Sequence, residues 1–184
     1  MMAGFDVRSV DLMMTPKELN VRHPFLLICA AALAIAGAPA ASAQSVTVPA
    51  SVPYVEDNEI SDAIKAECSL GTKLSDSIKR HGPSVVLADG TPDTASGRVL
   101  HVEIVDSVNM GNAFMGRQTY TKIRGTLFDG GQKVASFKAR RNSMGGAFAG
   151  FKGACSVLGR TVDKLGEDVG GWLANPKDGA ALGD

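Results

Sequence analysis

Histidine, cysteine and aromatic residues are scarce in this 184-residue chain, which holds three histidines, three cysteines, one tryptophan, two tyrosines and seven phenylalanines. Their scarcity removes whole classes of chemistry. A zinc site takes about four ligands, typically in paired spacing, and neither C-x-x-C nor H-x-x-x-H occurs. No G-x-S-x-G elbow is present to carry a hydrolase serine. With 19 basic and 19 acidic residues the net charge is zero, so the broad basic footprint of a nucleic-acid binder is missing. The expectation is a chain that is not an enzyme, holds no metal or cofactor and binds no nucleic acid.

Long hydrophobic runs are also lacking. The longest, Phe25 to Ala38, falls short of the ~20 residues of a membrane span. Lys17, Arg22 and His23 precede it, and Ala41-Ser42-Ala43 follows it. A basic n-region, an apolar h-region and an A-x-A site make a secretory signal peptide over residues 1–43, cleaved between Ala43 and Gln44. Cys29 is no lipoprotein cysteine, because bulky Ile28 precedes it and it sits early in the apolar run. Residues 1–13 belong to neither leader nor domain and read as an overlong gene start, with Met13 or Met14 as the true one. Removing the leader takes Arg8, Lys17 and Arg22 with Asp6, Asp11 and Glu18, which leaves 16 charges of each sign (19 minus 3). The mature chain is expected in the periplasm or outside the cell, with no transmembrane segment.

What remains divides into a lead-in over 44–57, one domain over 58–173 and a flexible tail over 174–184. Pro49 and Pro53 restrict the valines of the lead-in to an edge strand at most. Capped by Asp57 or Asn58, a helix follows on the spacing of Ile60, Ile64, Cys68, Gly71, Leu74 and Ile78, weakened at Gly71 and ended by Gly82-Pro83. Ser84 to Ala88 is a short β-branched run. Longer strands span Gly97 to Val108, Arg117 to Phe128 and Gln132 to Arg141, the last two joined by the hairpin turn Asp129-Gly130-Gly131. In the first of these Leu100, Val102, Ile104 and Val108 alternate onto one face. A second helix carries Phe148, Phe151, Cys155, Leu158, Val162, Leu165, Val169 and Trp172 at steps of three and four, with Ser143 as its cap and Asn175-Pro176 as its stop. This order predicts an α+β two-layer sandwich: an antiparallel sheet of three to four strands with two helices packed on one face.

Five features bear on function. Cys68 and Cys155 are the cysteines left after export, each on the apolar stripe of its helix, and an oxidising compartment favours a disulfide between them. The glycine-rich stretch Gly145 to Lys152 sits where a phosphate-binding loop would, but lacks its Gly-Lys-Ser/Thr ending, so it reads as a flexible strand-to-helix turn. Lys122, Arg124, Lys138 and Arg140 project from two paired strands, with Tyr120 nearby, as a surface for an anionic envelope component or an acidic protein. Met110, Phe114 and Met115 form an apolar tip suited to assembly. The two mature histidines, His81 at a helix end and His101 in a strand, read as a cap and a solvated strand position.

From Arg98 to Leu173 the chain resembles a group of small exported proteobacterial proteins of unknown function. The shared features are a strand, a loop of glycine and large apolar residues (SVNMGNAFMG), a strand ending in TLFDGG, a returning strand, the loop SMGGAFAGF and a closing amphipathic helix. The order of elements is also similar to the curli secretion-channel lipoprotein and the N-terminal domain of the Tol–Pal translocation protein, although this chain has no lipidated cysteine and no propeller. The resemblance implies an envelope protein and assigns no catalytic residue. The expected function is a non-catalytic binding or assembly module of the periplasm or cell envelope. The alternatives are a subunit of a larger envelope assembly and a small hydrolase or thiol enzyme resting on the two cysteines and His101.

Overall fold

A computed structural model describes residues 44–112, 116–143 and 153–184. The leader with Ala43, the tip residues Phe114 and Met115, the glycine-rich stretch 144–152 and the stripe positions Phe148 and Phe151 lie outside the described residues. Six strands form one sheet: β1 Val46–Pro49, β2 Val85–Ala88, β3 Arg98–Asn112, β4 Gly116–Asp129, β5 Gln132–Asn142 and β6 Ala180–Gly183, in the order β2-β1-β3-β4-β5-β6. Among the described residues three helices accompany them: α1 Asp62–Glu67, α2 Leu70–His81 and α3 Ala154–Ala174. None of these is long and apolar enough to cross a membrane.

This corrects the expected antiparallel sheet of three to four strands with two helices. β1 pairs in parallel with both β2 and β3, β3-β4-β5 form an antiparallel meander, and β6 runs parallel to β5. The lead-in escapes the proline rule by register. Val46 and Ala50 donate their N–H groups toward β2, so the nitrogen of Pro49 faces the β3 side. There the pairing stops at Thr47, and proline removes no ladder bond. The tail is ordered by side chains. Trp172 Nε1 donates to the Lys177 carbonyl at 3.1 Å, Ser136 donates to Asp178 at 2.6 Å, and Asp184 accepts from the Asn142 N–H at 2.7 Å and from Arg141 at 2.7 Å.

The first helix is also divided. Ser61 caps α1, Ser69 adopts a left-handed φ of 48°, and α2 starts afresh at Leu70. Gly71 is no kink but a crossing point: a Cβ there would collide with the Val52 carbonyl, and Val52 is buried. α3 begins at Ala154 with Gly153 at its cap, so its described part starts after Ser143 and the two phenylalanines.

α2 and α3 lie side by side and run parallel. Cys68 bonds to Cys155 at one end, with 4.7 Å between α-carbons, and Gly170 packs on His81 and Gly82 at the other. Gly166 and Gly170 make the close approach possible, since a Cβ at either would strike the backbone or side chains of α2. Both chain crossovers, β1 to β2 and β5 to β6, therefore pass over one face. They leave toward opposite edges from strands that run the same way, so they have opposite hands, against the usual right-handed preference. Beneath the helices Leu100, Val102, Ile104, Ile123, Leu127, Ala135 and Phe137 close one core with Leu74, Ile78, Leu158, Leu165 and Trp172. Among the described residues no helix covers the opposite face of the sheet, the open face.

Candidate functional site

The open face is built in rows by the strand register. His101, Thr126 and Ser136 align across β3, β4 and β5; Glu103, Arg124 and Lys138 form the next row, extended by Ala181 of β6. A third row starts from Asp106 and runs through Lys122 and Arg140. Lys122, Arg124, Lys138 and Arg140 thus form a two-by-two block on paired strands. A bulge at Val105 decides what faces them. Beyond it the alternation of β3 reverses, so Val108 stands opposite Tyr120 on the open face, and Ser107 turns inward to 2% exposure. This corrects the uninterrupted alternation that placed Val108 with Leu100 and Ile104. Ser107 instead joins a buried hydroxyl chain, 3.3 Å from Thr121, which is 2.8 Å from Thr161.

The same bulge brings Asp106 onto the open face. Lys122 pairs with Asp106 at 3.3 Å, and Arg124 donates through Nε to Glu103 at 2.8 Å. Tyr120 donates its hydroxyl to Asp106 at 2.8 Å, which raises its pKa, with burial adding to the effect. Its ring carries two cations, Arg140 at 4.4 Å and Lys122 at 4.9 Å from the centroid. Two carboxylates thus answer four cations. Among the described residues neither Lys138 nor Arg140 has a carboxylate within salt-bridge distance.

Along the first row lies a trough of about 540 Å³. Its floor is low because Thr126 and Ser136 are short, while Phe128 and Lys133 stand on one side and Arg124 and Lys138 on the other. The His101 ring meets Phe128 edge-on, 6.3 Å between centroids. Gly179, Ala180 and Ala181 close the β6 side with almost no side chain. The trough went unseen in the sequence because it needs the row alignment and a strand where a frayed tail was expected.

The other sequence candidates are placed as follows. Cys68 and Cys155 are joined, so neither is a free thiol in this structure. Gln44 is exposed ahead of β1, and Met110 is 68% exposed on the part of the β3–β4 hairpin that extends past β5. His81 ends α2, its Nδ1 2.9 Å from the Ser77 carbonyl. Ser77, His81 and Asp163 come together there, but not as a triad. The Ser77 hydroxyl donates to the main-chain carbonyl of Asp163 at 2.7 Å, and Gly166 packs directly on Ser77. Among the described residues no His, Cys, Asp or Glu cluster is arranged to hold a metal ion.

The chain course can be compared with solved structures. The PelC dodecamer from Paraburkholderia phytofirmans is 15% identical, with 67% of this chain and 86% of that chain covered and a TM-score of 0.42. A single-substitution variant of that dodecamer is 16% identical over the same shares, with a TM-score of 0.41. A neuraminyllactose-binding hemagglutinin homolog from Helicobacter pylori is 11% identical, with 68% and 78% covered and a TM-score of 0.29. No family model matches the chain, and no curated protein does. None of these likenesses assigns a function to a residue of this chain.

Proposed function

We propose that the exported chain is a non-catalytic binding or assembly module of the periplasm or cell envelope and that it works through the open face of its sheet. The observation that carries this reading is the block of Lys122, Arg124, Lys138 and Arg140, set in cross-strand register and only half neutralised. A face of this kind attracts an anionic component without making the whole protein basic. The leader sequence and the Cys68–Cys155 bridge support an oxidising compartment. The test is capture from the organism's own envelope fraction by the mature protein and by a variant with all four cations changed to glutamine. The reading expects specific partners to be lost from the variant while its circular dichroism is unchanged. Identical partners for both proteins refute it.

A second reading, a subunit of a larger envelope assembly, is favoured by Met110, the most exposed large apolar residue among those described. Light scattering of the mature protein separates the two: a single-chain mass at all concentrations rules out self-assembly.

A further inference from the structure

Resting on the proposal that the open face binds an anionic component, we infer that the trough over Thr126 and Ser136 is a site for an acidic saccharide, a sugar ring bearing a carboxylate. Its volume of about 540 Å³ lies within the roughly 300–1,000 Å³ of ordinary small-molecule sites. Its chemistry is bipolar. At one rim Lys138 has no carboxylate partner among the described residues. Beside it Arg124 spends only its Nε on Glu103, keeping donors in reserve. That rim suits one carboxylate. At the other rim Asp178 accepts from Ser136 at 2.6 Å and from Lys133 at 3.1 Å, while Glu103, in the row of Arg124 and Lys138, sets a second acceptor beside the cations.

These two carboxylates decide the ligand class. They disfavour a ligand whose charge outweighs its hydroxyl donors, as in inorganic phosphate, and favour sugar units that bring several hydroxyls with each carboxylate. A sugar acid satisfies both rims, placing its carboxylate against Lys138 and donating hydroxyl protons to Asp178, Glu103 and the floor hydroxyls. The half-buried Phe128, braced edge-on by His101, offers a flat apolar surface for the C–H face of the ring. The small residues of β6 leave room for it. Nothing in this arrangement activates a bond, so the site holds its ligand and does not transform it.

Titration of the mature protein with tetragalacturonate, followed by calorimetry and by amide chemical shifts, tests the assignment. The expected result is saturable binding in the millimolar range or tighter, with shifts centred on Thr126, Ser136, Lys138 and Ala181 and none at Met110. Maltotetraose, the uncharged analogue, binds about tenfold more weakly, and Lys138→Gln costs about tenfold, as for one charge-assisted hydrogen bond. Thr126→Trp fills the floor and abolishes binding; Lys138→Gln remains decisive if the tryptophan variant does not fold. Absence of binding at millimolar tetragalacturonate overturns the inference, as does equal affinity in Lys138→Gln. Tighter binding of inorganic phosphate, or of phosphatidylglycerol vesicles, also overturns it in favour of those ligands. If the four-cation variant still loses its envelope partners while tetragalacturonate fails to bind, the saccharide site falls and the broader reading stands.

Discussion

On β4, Ile123 and Leu127 point under the helices at 2% and 0% exposure, while Arg124 and Thr126 between them face solvent. One strand serves two environments that follow different rules. The covered face is held by volume: Phe137 fills the space that a side chain at Gly125 would take and packs edge-on against Trp172 at 4.8 Å. The open face is held by pairing, in which Lys122, Arg124 and Arg140 find a carboxylate or a ring on the neighbouring strand. Packing tolerates no change in size, whereas pairing in water tolerates much. Stability is therefore carried by one face of the sheet, and the proposed binding by the other.

The largest break in that comparison is covalent. Replacing Cys68 and Cys155 together by serine removes the tie between the helices that cover the core. It closes a span of 87 positions, and such a loop carries about 4 kcal/mol in the chain-entropy account, a fall in Tm of roughly 10–20 °C. Calorimetry of the oxidised wild type against the variant measures it, and a shift of a few degrees would mean the bridge constrains little. Next in size is a comparison of adjacent residues. Leu127→Ala should cost ~2–5 kcal/mol, and Thr126→Ala one position earlier less than ~1 kcal/mol. Urea denaturation of the pair reads the two faces directly; similar losses would deny the division.

A smaller effect is expected from changing Lys122 and Lys138 to glutamine. Exposed pairs contribute ~0–1 kcal/mol, so Tm stays nearly constant while partner capture falls. Unfolding of this variant would mean that the strand register is wrong. The smallest global effect comes from acid. The Asn142 N–H, and after it Arg141, hold the Asp184 carboxyl below its ordinary pKa. Because the folded group titrates below its unfolded value of about 3.9, this contribution is present above that pH and drains away as the pH falls through the folded value. Amide protection factors, corrected for the intrinsic exchange rate at each pH, should then fall in β6 before they fall in β4. Uniform exchange along the sheet between pH 5 and pH 2.5 would show that Asp184 does not latch the strand.

The covered face was legible in the sequence because alternation and helical spacing report burial directly: Leu100, Ile104, Ile123, Leu127, Leu158, Leu165 and Trp172 all declare themselves. The outward positions of the four cations follow from the same alternation. Their neighbours do not, because register depends on the extra residue at Val105, and an apolar bulge residue leaves no mark in a β-branched run. Ends were the other blind spot. Proline in the lead-in and small residues in the tail argue locally against strands; register overrules the first, and long-range bonds from Arg141, Ser136 and Trp172 overrule the second. In α3, Gly166 and Gly170 are where α2 comes to rest, a close approach that helical spacing alone does not announce.

That seam has an electrical consequence. Antiparallel neighbours cancel their macrodipoles, but α2 and α3 run the same way, so theirs add. The end carrying Cys68 and Cys155 presents two partial positive poles together, and the far end presents two negative ones. Lys79, Arg80 and His81 sit in the last turn of α2, while α3 has no basic residue in its own last turn to answer its pole. A chain with equal numbers of acidic and basic residues is thus not featureless to an approaching charge. The effect is local, because salt screens it and it falls off within a turn, so it is felt at the two ends of the helix pair and not across the whole surface.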